Sequence, residues 1–320
     1  MAESPRTAPL KRIAVLAGGV GAARFLRGLS SLLDPRQLTV IVNTGDDETF
    51  FGLHVSPDLD TVTYTLAARV DPRQGWGIAG DTFGCLDALR RFYPETWFRL
   101  GDADLATHIY RTDALRRGVP LSRLTAAIAR RHGIRARVVP MSDDPVRTVV
   151  HIRGRGPLPF QEYLVKRHGR GTVDRVSFSG IRTAHPAPGV VTAIRQADAV
   201  ILPPSNPIVS IQPILALRGV RAALRQTRAP VAAVSPLVRG VPIKGPLDRM
   251  LAGLGHEVSA VGVAALYRDC VDLFVLDTRD RNLAPRIEAL GMRTLVADTI
   301  MRTSAQSRAL ADAVLRGLQP

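Results

Sequence analysis

A chain of 320 residues with 46% hydrophobic and 22% charged residues suits one large or two modest α/β domains, and excludes collagen-like, wholly disordered and coiled-coil architectures. Two cysteines, Cys85 and Cys270, build neither a disulfide framework nor a metal cage, and no run of about 18 apolar residues offers a membrane span; both fit a cytoplasmic protein. The net charge of +15 raises nucleic-acid binding, but the basic residues are nearly all scattered arginines (only Lys11, Lys166 and Lys244 are lysines) and aromatics are 5%, so the charge reads as affinity for anions in general on an arginine-rich background.

Residues 1–11 lack periodicity and read as a disordered tail; residues 12–320 read as a single domain. Ile13–Leu16 is a short apolar strand running into Gly18-Gly19-Val20-Gly21. Its position after Lys11-Arg12 mimics a signal peptide, but the glycines suit a phosphate loop better. Phe25, Leu26, Leu29, Leu32 and Leu33 then recur at helical spacing, and Leu38–Val42 is a second strand. Strand, glycine loop, helix and strand make the opening of a doubly wound sheet. Ser56-Pro57 opens a helix to about Ala68, Asp81 is expected to cap another, Leu105–Leu115 is a third, and Ser122 caps a fourth through Arg131. Arg137–Val139, Thr148–Ile152 and Val173–Phe178 are strand candidates around a Gly/Pro-rich loop at 154–159. The stretch from about 55 to 180 therefore reads as a mainly helical or irregular insertion, a second lobe. The α/β rhythm returns with strands at Ala199–Leu202, Val231–Val234, Leu273–Leu276 and Thr294–Val296. Helices are expected from Pro207 to about Arg225, at about 281–290 and at 303–317. The predicted fold is a Rossmann-like doubly wound parallel sheet.

Polar segments fall at strand ends, where an open parallel sheet binds its ligands, and at one helix start. Gly18, Gly19 and Gly21 fit a backbone anion cradle at a helix N-terminus or a tight, ligand-free turn. The loop matches neither the dinucleotide fingerprint nor the Walker loop. Asn43-Thr44-Gly45-Asp46-Asp47 offers adjacent carboxylates, suited to holding Mg²⁺ or equally to a capped, solvated turn. In Ser56-Pro57-Asp58-Leu59-Asp60-Thr61 the two carboxylates point about 200° apart around a helix. Asp58 reads as complementing the helix dipole, so the pair does not serve one purpose. Pro204-Ser205-Asn206-Pro207 is a stiff loop presenting polar side chains, and Met141-Ser142-Asp143-Asp144-Pro145 is a similar turn. Together these describe a crevice for a phosphorylated, nucleotide-bearing ligand. The seven histidines show no HxH or HxxxH pair, and there is no Gly-x-Ser-x-Gly elbow.

Taken in order with Leu100-Gly101-Asp102, Asp104, Ala106-Thr107-His108 and Ser235-Pro236, these motifs make the chain similar, over about residues 12–280, to the 2-phospho-L-lactate transferase family of deazaflavin coenzyme F-420 biosynthesis. The resemblance implies transfer of a phospho-acid (2-phospholactate, enolpyruvyl phosphate or 3-phosphoglycerate) from a guanosine diphosphate-linked donor. The acceptor would be the ribityl hydroxyl of 7,8-didemethyl-8-hydroxy-5-deazariboflavin, and GMP would be released. It also implies a Mg²⁺-dependent homodimer acting on small molecules, with no nucleic acid or membrane partner. By position, Asp60 and Arg99 match the deazaflavin-binding pair, and Gly18, Gly19, Gly21, Ser205 and Asn206 the nucleotide contacts. Asp46 and Asp47 are the metal candidates, and Asp60 and Asp46 the catalytic ones. Ala103 stands where the family usually has Arg, which leaves the donor open. The alternative is a nucleotide-sugar-binding regulator of the same superfamily.

Overall fold

In the computed structural model, which describes residues 10–319, seven strands form one parallel sheet. They are β1 (Ile13–Ala17), β2 (Leu38–Val42), β3 (Arg137–Pro140), β4 (Ala199–Leu202), β5 (Val231–Val234), β6 (Leu273–Asp277) and β7 (Arg293–Ala297). Their spatial order is β7-β6-β5-β4-β1-β2-β3, and every pairing is parallel. Chain order reverses between β1 and β4, so the ligand crevice of such a sheet lies at their carboxyl ends. Nearly all of the expected tail lies outside the described residues.

The strands are continuous apolar runs because both faces of the sheet are covered. Ile13, Val15 and Ala17 of β1 point into one core, with Val40 and Val42 of β2. Ala14 and Leu16 point into the other, with Ile41. The first core is closed by α1 (Gly19–Leu29), whose Phe25, Leu26 and Leu29 are fully buried; each contributes roughly 1.5–3 kcal/mol relative to exposure. The C-terminal helix Ser304–Gly317 packs beside it.

The excursion is helical as far as Arg131, with α2 (Pro57–Leu66), α3 (Asp102–Arg116) and α4 (Leu121–Arg131) as its main helices. Its later part carries the expected strands, with one helical segment at Glu162–Lys166. β3 joins the main sheet beside β2, and Arg147–Ile152 pairs antiparallel with Gly156–Pro159 and Val173–Ser179 in a three-stranded sheet. The helix expected from Pro207 to about Arg225 is broken into Pro207–Ala216 and Val220–Gln226, bent by 87° at Gly219, which takes a positive φ of 85°. No single helix among the described residues is long and apolar enough to cross a membrane.

The cap expected of Asp81 falls on a different helix. Asp81 does not cap the short helix Gly84–Leu89; it accepts from the Ala103 and Asp104 amides that open α3, at 2.8 and 3.0 Å. Asp102 in turn accepts from the Gly84 and Cys85 amides, both at 2.9 Å. Each carboxylate satisfies orphan amides of the neighbouring helix. Likewise α4 is capped by Asp143, which accepts from the Ser122 amide and hydroxyl at 2.6 and 2.8 Å. The Met141–Pro145 turn is thus spent on holding a helix.

Gly21 fixes the approach of α1 to the loop after β4, since a Cβ there would lie 2.0 Å from the Pro204 carbonyl oxygen. Backbone on both sides leaves little room to relax. Gly21→Ala is expected to destabilise the fold by about 1–3 kcal/mol, read as a lower urea midpoint at unchanged m-value.

Candidate active site

The loops after β1, β2 and β4 meet the start of α2 around Asn43, which is 1% exposed. Its Nδ2 donates to Asp58 Oδ2 at 2.9 Å and to Asp46 Oδ1 at 3.2 Å, while its Oδ1 accepts from the Gly45 amide at 2.8 Å. Asp58 also accepts from the Gly19 amide at 2.7 Å. Its role is therefore more than complementing a helix dipole: it ties α2 to the glycine loop. Gly18 sits in the same junction, where a Cβ would lie 2.6 Å from Asp58 Oδ2 and 2.7 Å from Ser210 Cβ.

Asp46 is buried and accepts from Gln161 Nε2 at 3.0 Å. Asp47 accepts from the Ser56 hydroxyl at 2.8 Å and lies 3.0 Å from His54 Nε2, while its buried Oδ1 has no partner. Ser56, expected as a capping side chain, thus turns its hydroxyl to Asp47. Burial pushes all three carboxyl groups up. Asp46 is raised well above the ordinary range by burial, then by the charges of Asp58 and Asp47. Asp58 reaches about 6 through burial, against the pull of its Asn43 and Gly19 bonds, and Asp47 is raised by burial against its His54 and Ser56 bonds. A cavity of about 60 Å³ lies beside them, lined among others by Asp46, Asp47, Glu48, Arg147, Thr148 and Gln161, with room for a cation or a few waters. The buried Thr148 hydroxyl is unpartnered as well.

This donor set fits a hard divalent cation. Carboxylates whose pKa values are raised chiefly by burial, with a free buried oxygen among them, gain from a positive charge. Among the described residues no three His, Cys, Asp or Glu side chains form a ready cage. That is compatible with Mg²⁺, which takes one or two carboxylates and fills its remaining positions with water and substrate phosphate.

Asp60 belongs to a different network, as its position on α2 required. Arg111 Nη1 and Nη2 donate to its two carboxylate oxygens, the first at 3.1 Å, and both residues are buried. His108 Nδ1 lies 3.7 Å from Asp60, and His108 Nε2 lies 3.2 Å from Asp104, which also accepts from the Tyr64 hydroxyl at 2.6 Å. Arg99 is exposed and stacks its guanidinium 4.2 Å from the centre of the Phe83 ring; the salt-bridge partner of Asp60 is Arg111. Asn206 uses its side-chain oxygen to cap the following helix, accepting from Ile208 and Val209 amides at 2.9 and 3.3 Å. Ser205 is buried with a free hydroxyl. Asn43 appeared in the sequence only as the first residue of its motif. His54, Arg111 and Gln161 carried no assigned role, although Asp104, His108 and Arg111 are spaced i, i+4, i+7, a polar stripe on one face of α3.

A model of the 2-phospho-L-lactate transferase CofD family matches residues 13–314. The chain belongs to that family. It is 43% identical over 297 residues to the phosphoenolpyruvate transferase of Kitasatospora aureofaciens, covering 91% of this chain and 92% of the relative. It is 38% identical over 302 residues to the 2-phospho-L-lactate transferase of Methanosarcina mazei, covering 94% and 99%. The fold is shared with a crystal structure of a UPF0052 family member from Bacillus halodurans, at a TM-score of 0.62 and 16% identity over 95% of this chain and 99% of that one.

Two outcomes follow for this CofD-family chain. Asp60→Ala strands the Arg111 guanidinium in the interior and is expected to cost about 3–5 kcal/mol in urea unfolding. Asp58, whose folded pKa is raised, contributes stability that is complete below the ordinary carboxylate range and lost as pH rises through about 6. From about pH 4 to pH 7 the wild-type melting temperature is therefore expected to fall relative to that of Asp58→Asn. A constant difference between the two would contradict the assignment.

Proposed function

We propose that the protein transfers a phospho-acid from a guanosine diphosphate-linked donor to the ribityl hydroxyl of 7,8-didemethyl-8-hydroxy-5-deazariboflavin. The observation that carries this reading is the junction of a buried carboxylate cluster, Asp46, Asp47 and Asp58, with the switch point of a Rossmann-like sheet, in a chain of the CofD family. Enolpyruvyl phosphate is the first acid to test, since the relatives named phosphoenolpyruvate transferase include those with 43–45% identity.

In this reading the acceptor hydroxyl oxygen attacks the distal phosphorus of the donor and a P–O bond forms, the bond to GMP breaks with its electron pair leaving on the GMP phosphate oxygen, and the hydroxyl proton is released to that phosphate or to water. Asp46 and Asp47 would hold Mg²⁺, with Thr148 and Gln161 beside them. The bound ion would neutralise diphosphate charge and so ease departure of GMP. Gly18, Gly19 and Gly21 line the donor side as backbone, with Ser205 and Asn206 across the switch point. Because Asp58 already accepts from the Gly19 amide, the donor would use other amides of this loop or displace that carboxylate. Asp60, its carboxylate fixed by Arg111, orients the acceptor hydroxyl, and Arg99 on Phe83 supplies a cation on the same excursion.

Incubation with the deazariboflavin, Mg²⁺ and each of the three guanylylated acids is expected to yield one coupled product by mass and stoichiometric GMP. Asp46→Asn is expected to raise the Mg²⁺ concentration needed for half-maximal rate by about tenfold, the scale of one lost charged ligand. Guanosine nucleotide binding without product from any donor would favour a nucleotide-binding regulator.

A further inference from the structure

Forty arginines to three lysines is a composition in which arginine has taken nearly every position that needs only positive charge. Each surviving lysine therefore invites a local explanation. Lys11 lies at the edge of the described chain, and Lys166 pairs with Glu95. Lys244 has no carboxylate within ion-pair distance among the described residues; its Nζ donates to the Gln74 carbonyl at 2.8 Å.

That contact places it over the first turn of α1. Gln74 is held by a turn in which Asp71 accepts from the Arg73 and Gln74 amides at 2.8 and 3.0 Å. The next residue, Gly75, lies against α1, since a Cβ there would be 2.6 Å from Val20 Cγ1 and 3.7 Å from Arg24 Nη2. Arg24 also lacks a carboxylate partner among the described residues, reaching only the Met301 carbonyl at 3.4 Å. Lys244 follows β5, Gln74 follows α2 and Val20 follows β1, so loops from separate parts of the fold converge on the carboxyl-end side of the sheet.

Two cations brought together without a counter-charge repel each other. Partial burial of the ammonium and the charge of Arg24 both lower the Lys244 pKa, and burial followed by Arg24 lowers that of Arg27. A fold gains nothing from this arrangement by itself. It gains when an anion arrives, and the helix N-terminus beside it favours the same charge. Lys244 remains an exposed residue, so a ligand can reach it.

We infer that Lys244 and Arg24 form a phosphate subsite for the guanosine diphosphate part of the donor, at the first turn of α1. This rests on the transfer reading above and adds to it two side chains outside the sequence motifs. The compact ammonium supplies a point charge, and the guanidinium a fork that fits phosphate oxygens.

The test is calorimetric titration of guanosine diphosphate, with Mg²⁺, into wild-type protein, Lys244→Gln and Arg24→Gln, with the deazariboflavin titrated in parallel. Each variant is expected to raise the Kd for guanosine diphosphate about tenfold or more, to leave the acceptor Kd unchanged, and to melt at the wild-type temperature. Unchanged guanosine diphosphate affinity in both variants overturns the subsite while leaving the transferase reading standing. A loss confined to acceptor binding does the same. Wild-type protein that binds no guanosine diphosphate overturns both.

Discussion

The Asn43 carboxamide spans two buried carboxylates, Asp46 and Asp58, at the end of β2. Those carboxylates come from different segments, and in water their charges would hold them apart. In the interior the cost of desolvating them is offset only partly by hydrogen bonds, which is why their pKa values rise. The rest of the site follows from that constraint. Gly18 is small because Asp58 occupies the space beside it, α2 is drawn against the glycine loop, and the loop after β2 folds back through the Gly45 amide.

A strained cluster of this kind is expected at a functional site. Its negative charge is poised for a cation on one side. On the other, Lys244 and Arg24 carry positive charge that no carboxylate of the described chain neutralises. Under the proposed function, these opposite uncompensated charges on the same side of one sheet would meet an anionic diphosphate and its metal. The net charge of +15 is much less informative than these few groups, since most arginines are exposed or paired on the surface.

The helical excursion supplies the other half of the proposed site. Asp60 and Arg111 join α2 to α3 through a buried ion pair, and His108, Asp104 and Tyr64 extend it. Such a network costs desolvation, so its value lies in geometry: it fixes α2, which carries Asp60, against α3.

The sequence by itself determined the sheet strands, the glycine turn after β1 and the polar loops at strand ends, because these are local patterns: apolar runs, turn residues and helical spacing. It also separated Asp58 from Asp60, since 200° around a helix is fixed by residue number alone. Only the tertiary structure decided what each polar side chain meets. Asp81 and Asp102 exchange caps because two helix starts lie side by side, and β3 joins the main sheet by pairing with β2, about a hundred residues earlier in the chain. Arg111 pairs with Asp60, and Gln161 reaches Asp46 from the helical turn that follows the strand Gly156–Pro159. Hydrogen bonds and ion pairs are short-ranged in space and indifferent to sequence separation, so no spacing rule along the chain could have found these partners.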